Sequence, residues 1–158
     1  MILREDMAIR GSPAQVWSIL SDPSLMELWN PKCVKCESRH SPVSLGTRYK
    51  ATFRFSGRPA HECWCEVVDY APLQRVRTRF SGEVFRNGGY VDEEFRLIPL
   101  AAATRLMHLV DYTHSGLPWI IAVLMRFIQT FGYSVGKSPL EGIKELAENH
   151  GQAMCQRQ

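Results

Sequence analysis

Residues 117–136 read LPWIIAVLMRFIQTFGYSVG and, after Lys137, continue as SPLEGIKELAEN. The stretch looks almost like a membrane span, but Arg126 and Gln129 interrupt it and Gly132, Gly136 and Pro139 follow, so it falls short of the roughly 18 to 20 uncharged residues that a bilayer crossing needs. Its apolar positions recur at helical spacing: Ile120, Val123, Leu124, Phe127, Ile128 and Phe131, then Leu140, Ile143 and Leu146. A helix this apolar must be covered, either by the rest of the chain or by an apolar ligand. Ser138 and Glu141 repeat a capping-box pattern in SPLE, which predicts a kink or a restart between Gly136 and Pro139.

Working back from that segment, residues 33–115 read almost entirely as strands. In TRYKATFRFSG, Tyr49, Ala51, Phe53 and Phe55 alternate with Arg48, Lys50, Thr52 and Arg54, the pattern of a half-buried strand. HECWCEVVDY, QRVRTRFSG, GYVDEEFRLIPL and ATRLMHLVDYTHS follow, joined through Ala71-Pro72, Asn87-Gly88-Gly89 and Pro99 to Ala103. These links are of hairpin length, so the sheet is expected to be antiparallel. Together with a strand at Cys33 and a looser alternation over residues 2–10, with Leu3, Met7 and Ile9 on one side, seven strands are expected.

Between the first two strands lie two helix starts. Ser12, Pro13 and Gln15 form a capping signature before Val16, Trp17 and Leu20. Asp22-Pro23 opens a second short helix through Leu25, Leu28 and Trp29, which Asn30-Pro31 ends.

The chain has 158 residues, 45% of them hydrophobic and 22% charged. One domain over residues 1–150 is expected, able to bury roughly 70% of its unfolded surface, with 151–158 as a frayed tail. The net charge of +3 comes from 19 basic and 16 acidic residues. Arg75, Arg77 and Arg79 share one strand parity, which reads as a solvated outer face. Without clustered charge or aromatic stacking partners, no nucleic-acid partner is expected. MILREDMAIR has charges where a signal peptide has its apolar core, so the expected location is cytoplasmic.

The five cysteines are 33, 36, 63, 65 and 155. CVKC and CWC invite comparison with a four-thiolate zinc site, but the second pair is CxC and both lie in expected strands, where residues three apart face opposite ways. Buried reduced thiols are the alternative, and neither a metal nor a cofactor is expected. No HExxH or Walker loop occurs in the chain, and no GxGxxG follows a strand.

The order strand, two short helices, six antiparallel strands and long C-terminal helix resembles the helix-grip fold of the START-like superfamily. That superfamily includes polyketide cyclases/dehydrases, lipid-transfer domains and the Bet v 1 allergens. IRGSPAQVWSILSDPSLMELWNP, GTRYKATF, EVVDYAPLQRVRTRF, ATRLMHLVDYTHSG and LEGIKELAE carry the resemblance. It implies an α+β fold in which a seven-stranded curved sheet wraps the last helix. It also implies a cavity for a hydrophobic small molecule, with Trp29 and Asn30 near the mouth.

On the expected inner face, Tyr49, Phe53, Phe55, Phe80 and Phe95 either line that cavity or simply fill the core, with Phe127 and Phe131 opposite. Val76 and Leu97 share their parity. Glu93 shares the parity of Val91, Phe95 and Leu97, which sets a carboxylate among apolar side chains unless a bulge shifts the register. His108, Tyr112 and His114 share a parity with Leu106 and Val110, but Met107 and Leu109 make the other face equally apolar, so the inward side of this strand is open.

Three functions fit. The first is binding or transport of a lipid, polyketide or aromatic metabolite through Tyr49, Phe53, Phe55, Phe80, Glu93, Phe95, His108, Tyr112, Phe127 and Phe131. The second is cyclase/dehydrase chemistry with Glu93, His108 or Tyr112 transferring a proton. The third is an interaction protein, monomeric or homodimeric, with a filled groove and an apolar lip at Gly116 to Trp119 suited to a membrane surface or another subunit.

Overall fold

The computed structural model describes residues 1–54, 59–116 and 137–155. The described residues form a seven-stranded antiparallel sheet in the order β1-β7-β6-β5-β4-β3-β2. Its strands are β1 (Ile2–Ile9), β2 (Cys33–Glu37), β3 (Arg48–Arg54), β4 (Ala60–Ala71), β5 (Arg75–Ser81), β6 (Tyr90–Pro99) and β7 (Thr104–Asp111). Each of β3 to β7 pairs with its sequence neighbour, as hairpin-length links require, while β1 closes onto β7 and β2 onto β3.

Helix α1 (Pro13–Leu20) follows β1 and starts as the sequence predicts. The Ser12 hydroxyl accepts from the Gln15 amide while Gln15 Oε1 accepts from the Ser12 amide at 2.8 Å, satisfying two donors that the first turn leaves open. The second start is shorter than a regular helix. Asp22 caps a 3₁₀ turn at Pro23–Leu25, and α2 adds one turn at Met26–Trp29. Trp29 is buried, but Leu28, expected on the same apolar face, is exposed. A single turn cannot bury two consecutive positions against one neighbour.

The last described element is helix α3 (Pro139–Cys155). It starts at Pro139 with the capping box the sequence predicts: the Ser138 amide donates to Glu141 Oε2 at 2.7 Å and the Glu141 amide donates to the Ser138 hydroxyl. Leu140, Ile143 and Ala147 are buried at helical spacing, and the helix packs against α1, α2 and β1. It runs to Cys155, through Gly151 and five residues past His150. Residues 117–136, including the expected helical positions Phe127 and Phe131, lie outside the described residues, as does Phe55. Among the described residues no helix is long and apolar enough to cross a membrane.

Alternation sorts the sheet into two faces. Tyr49, Ala51 and Phe53 of β3, Cys63, Cys65 and Val67 of β4, Val76 and Phe80 of β5, and Val91, Phe95 and Leu97 of β6 are buried on the inner side. On β7 the buried set is Thr104, Leu106 and His108, which resolves the inward side that two apolar faces had left open. The outer face is not freely solvated where QRVRTRF lies. Arg77 Nε donates to Glu94 Oε2 at 2.7 Å, Arg79 grips Asp92 through two hydrogen bonds of 2.8 and 2.9 Å, and Arg75 pairs with Asp69 at 3.0 Å. Arg77↔Glu94 and Arg79↔Asp92 are directly opposed across the β5–β6 ladder, so the basic strand is neutralised by its acidic neighbour.

Candidate functional site: a pocket on the inner face

A pocket of about 230 Å³ opens over the inner face of the sheet. Its described walls come from every strand but β2: Leu3 and Glu5 of β1, Phe53 of β3, His61 and Cys63 of β4, Phe80 of β5, Val91 and Glu93 of β6, and His108 and Val110 of β7, with Tyr112 just beyond. Val84 and Phe85 from the β5–β6 link, Asn30 and Lys32 after α2, and Pro139 at the start of α3 complete the lining. The space is thus bounded by sheet on one side, with the segment after α2 and the first residue of α3 at the rim.

Phe53, Phe80, Glu93, His108 and Tyr112 all line this pocket. Tyr49 and Phe95 lie on the same inner face but are buried in the core, outside the lining, and Phe55, Phe127 and Phe131 fall outside the described residues. Asn30 is at the rim, while Trp29 beside it is buried with its indole Nε1 unpartnered among the described residues. Leu3, Glu5, His61 and Cys63 had not been singled out as pocket residues. Their signal was available: His61 has the parity of Cys63 and Cys65, and Glu5 that of Leu3 and Met7.

Glu93 is the carboxylate expected on the apolar side, and it has a partner there. Its Oε1 lies 2.7 Å from His108 Nε2. Both side chains are largely buried, 12% and 8% exposed. The imidazole stacks on Phe95 with centroids 4.6 Å apart and planes only 8° from parallel. Phe95 in turn meets the edge of Trp29 at 5.8 Å, so a ring chain runs from α2 to the polar pair. Such packing holds the imidazole in one orientation, and the carboxylate holds its ring nitrogen. Tyr112 contributes a phenol whose pKa is pushed up to about 12, by burial first and then by the charges of Glu93 and Glu5. At neutral pH it is an O–H, able to donate or accept a hydrogen bond.

The thiols are a different matter. Burial pushes Cys63 up to about 11, with the Glu62 charge adding to it, and Cys33 also to about 11, while Cys65 is raised further still by deeper burial. These groups are protonated at neutral pH, the form that neither attacks nor ligates well. Among the described residues no group of three or more histidine, cysteine or acidic side chains is arranged to hold a metal ion.

Residues 2–129 match the family described as polyketide cyclase/dehydrase and lipid transport, so the chain belongs to that family. Three solved structures show the fold. TTHA0849 from Thermus thermophilus superposes with a TM-score of 0.72 at 16% identity, covering 95% of this chain and 99% of its own. CV1439 from Chromobacterium violaceum gives 0.67 at 18% identity, with 93% and 96% covered. Ara h 8.0201 gives 0.62 at 13% identity over 94% and 98%. At such identities the likeness is one of architecture, a Bet v 1-like helix grip. No curated protein matches the chain.

Proposed function

We propose that the protein binds and carries a hydrophobic small molecule, a lipid, polyketide or other aromatic metabolite, in the pocket between sheet and C-terminal helix. The observation that carries this reading is the pocket itself. It has aromatic and aliphatic walls from Leu3, Phe53, Phe80, Phe85, Val91 and Val110 and a few polar groups, most of them on or beside β1, β6 and β7, with His61 on β4 and Asn30 and Lys32 after α2. Apolar burial supplies affinity in such a site, and the few polar groups supply orientation. Membership of a polyketide cyclase/dehydrase and lipid transport family supports it. Mass spectrometry of small molecules extracted from the purified protein tests the reading, together with uptake of a neutral fluorescent probe such as Nile red. A copurifying apolar metabolite and saturable uptake are expected; an empty protein that takes up no probe would refute it.

The Glu93–His108 pair supports a second reading, proton transfer on a bound polyketide or related ketone. A carboxylate and an imidazole sharing one hydrogen bond, in a largely water-excluded site, are suited to general acid–base work. Substitution separates the two. Glu93→Gln abolishes turnover if the pair is catalytic, while a carrier retains most of its affinity for the apolar body of the ligand.

A further inference from the structure

The geometry points to a ligand whose polar end is a hydrogen-bond donor, a phenol or alcohol hydroxyl on an apolar body, and to rejection of a carboxylate of the same shape. The inference rests on the binding reading above and specifies the chemistry it selects.

The polar groups of the pocket are unevenly placed. Glu93, His108 and Tyr112 stand on β6, β7 and the residue after β7, and Glu5 lies directly across the β1–β7 ladder from His108. Among the described residues one oxygen of Glu93 is occupied, by His108. The other has no partner among the described residues, although the side chain is only 12% exposed. A carboxylate oxygen facing a pocket is most stable with a donor on it. A ligand O–H in the pocket can supply that donor.

The Tyr112 hydroxyl also has no partner among the described residues, and it lines the same pocket. A ligand hydroxyl set against these two groups donates to Glu93 and accepts from Tyr112. A ligand carboxylate in that place would set an anion against Glu93, whose side chain is largely buried, so little water screens the repulsion. Lys32, the lysine of the described lining, is solvent-exposed at the rim, where an attraction to an anion is screened. The selection is therefore for a neutral donor.

A matched pair of two-ring aromatics tests this: 2-naphthol and 2-naphthoate, each used to displace Nile red from the wild-type protein at neutral pH. Naphthol is expected to displace the probe at a concentration about tenfold or more below naphthoate, the size of effect that a hydrogen bond to a charged group brings. Glu93→Gln is expected to narrow that ratio to about threefold or less, chiefly by improving naphthoate. Tyr112→Phe should weaken naphthol without helping naphthoate. If wild-type protein binds Nile red but prefers naphthoate or does not discriminate, the inference fails while the binding reading stands. An unchanged ratio in Glu93→Gln overturns it equally. If the wild-type protein takes up no Nile red, both fail together. Should Glu93→Gln not fold, as judged by circular dichroism, the wild-type ratio and Tyr112→Phe decide the matter.

Discussion

Glu93 and His108 hydrogen-bond at 2.7 Å across the β6–β7 ladder without being partners in it, for His108 stands opposite Phe95 and Glu93 opposite Val110. The contact is a diagonal one, which long side chains on one sheet face can span. Phe95, lying flat under the imidazole, stabilises the orientation that makes the reach possible.

That diagonal has a measurable energy. Glu93→Gln, His108→Ala and the double variant form a cycle whose coupling is expected to be about 1–3 kcal/mol in urea unfolding, because removing either partner alone leaves a largely buried group unpaired. Additive single effects would mean that the pair contributes nothing to stability.

On the outer face, burial acts to raise the pKa of Glu94, but hydrogen bonds from Arg96 and Arg77 outweigh it and hold the carboxyl below the ordinary glutamate value. A carboxyl depressed in the folded state stabilises the fold above the unfolded pKa of about 4.3, and that contribution is lost as the pH falls through the lower, folded value. Glu94→Gln is therefore expected to cost about 1.5–3 kcal/mol at pH 7 and to flatten the acid side of the stability profile. Asp111, which Thr113 holds low against the opposing effect of burial, keeps part of that acid dependence in the variant. Chemical denaturation between pH 3 and 7 reads both; parallel profiles for the two proteins would refute the assignment.

Gly142 is a contact point rather than a flexible joint. A Cβ on it would lie 2.0 Å from the Trp29 carbonyl oxygen, so α3 approaches α2 as closely as it does because a hydrogen occupies that position. Gly142→Ala gains up to about 1 kcal/mol of helix propensity but forces two backbones apart, and a net loss of about 1–3 kcal/mol is expected. Thermal unfolding measures it. A stabilised variant would show that α3 is not seated on α2.

The Cys63 thiol faces the pocket with its pKa pushed up to about 11. Its thiolate fraction at pH 7.5 is on the order of 0.03%, against about 10% for a free cysteine, so alkylation by iodoacetamide should be at least tens of times slower than for a peptide thiol. Peptide mapping after timed labelling follows this site individually, and rapid labelling of Cys63 would contradict its burial.

Particular residues mark what could be read before folding. Arg48 to Arg54 alternate polar and apolar, and the strand buries Tyr49, Ala51 and Phe53 as the alternation predicts. Ser12 and Gln15 announce a capping box that forms, and Ser138 and Glu141 announce another. Glu93 is on the inner face because a period of two carries it there from Phe95. β7 resisted the same treatment, since Leu106 and Val110 on one side are matched by Met107 and Leu109 on the other. Pairing with β6 settles it, by bringing His108 to Phe95.

Parity also could not separate Phe53 and Phe80, which reach open space, from Tyr49 and Phe95, which share their face but are packed into the core. Whether an inward side chain meets a neighbour or a void depends on the curvature of the sheet and on where α2 and α3 lie, and neither is encoded in one strand.

The sequence thus carried the order of elements, the caps and the inner face of most strands, because periodicity and capping are properties of a few consecutive residues. The meeting of Glu93 with His108, the seating of Gly142 on Trp29 and the Glu93 oxygen left open among the described residues belong to the assembled fold. The first two are approaches of a few ångströms between residues 15 and 113 positions apart, and the third follows from the first; strand register and helix docking decide them all.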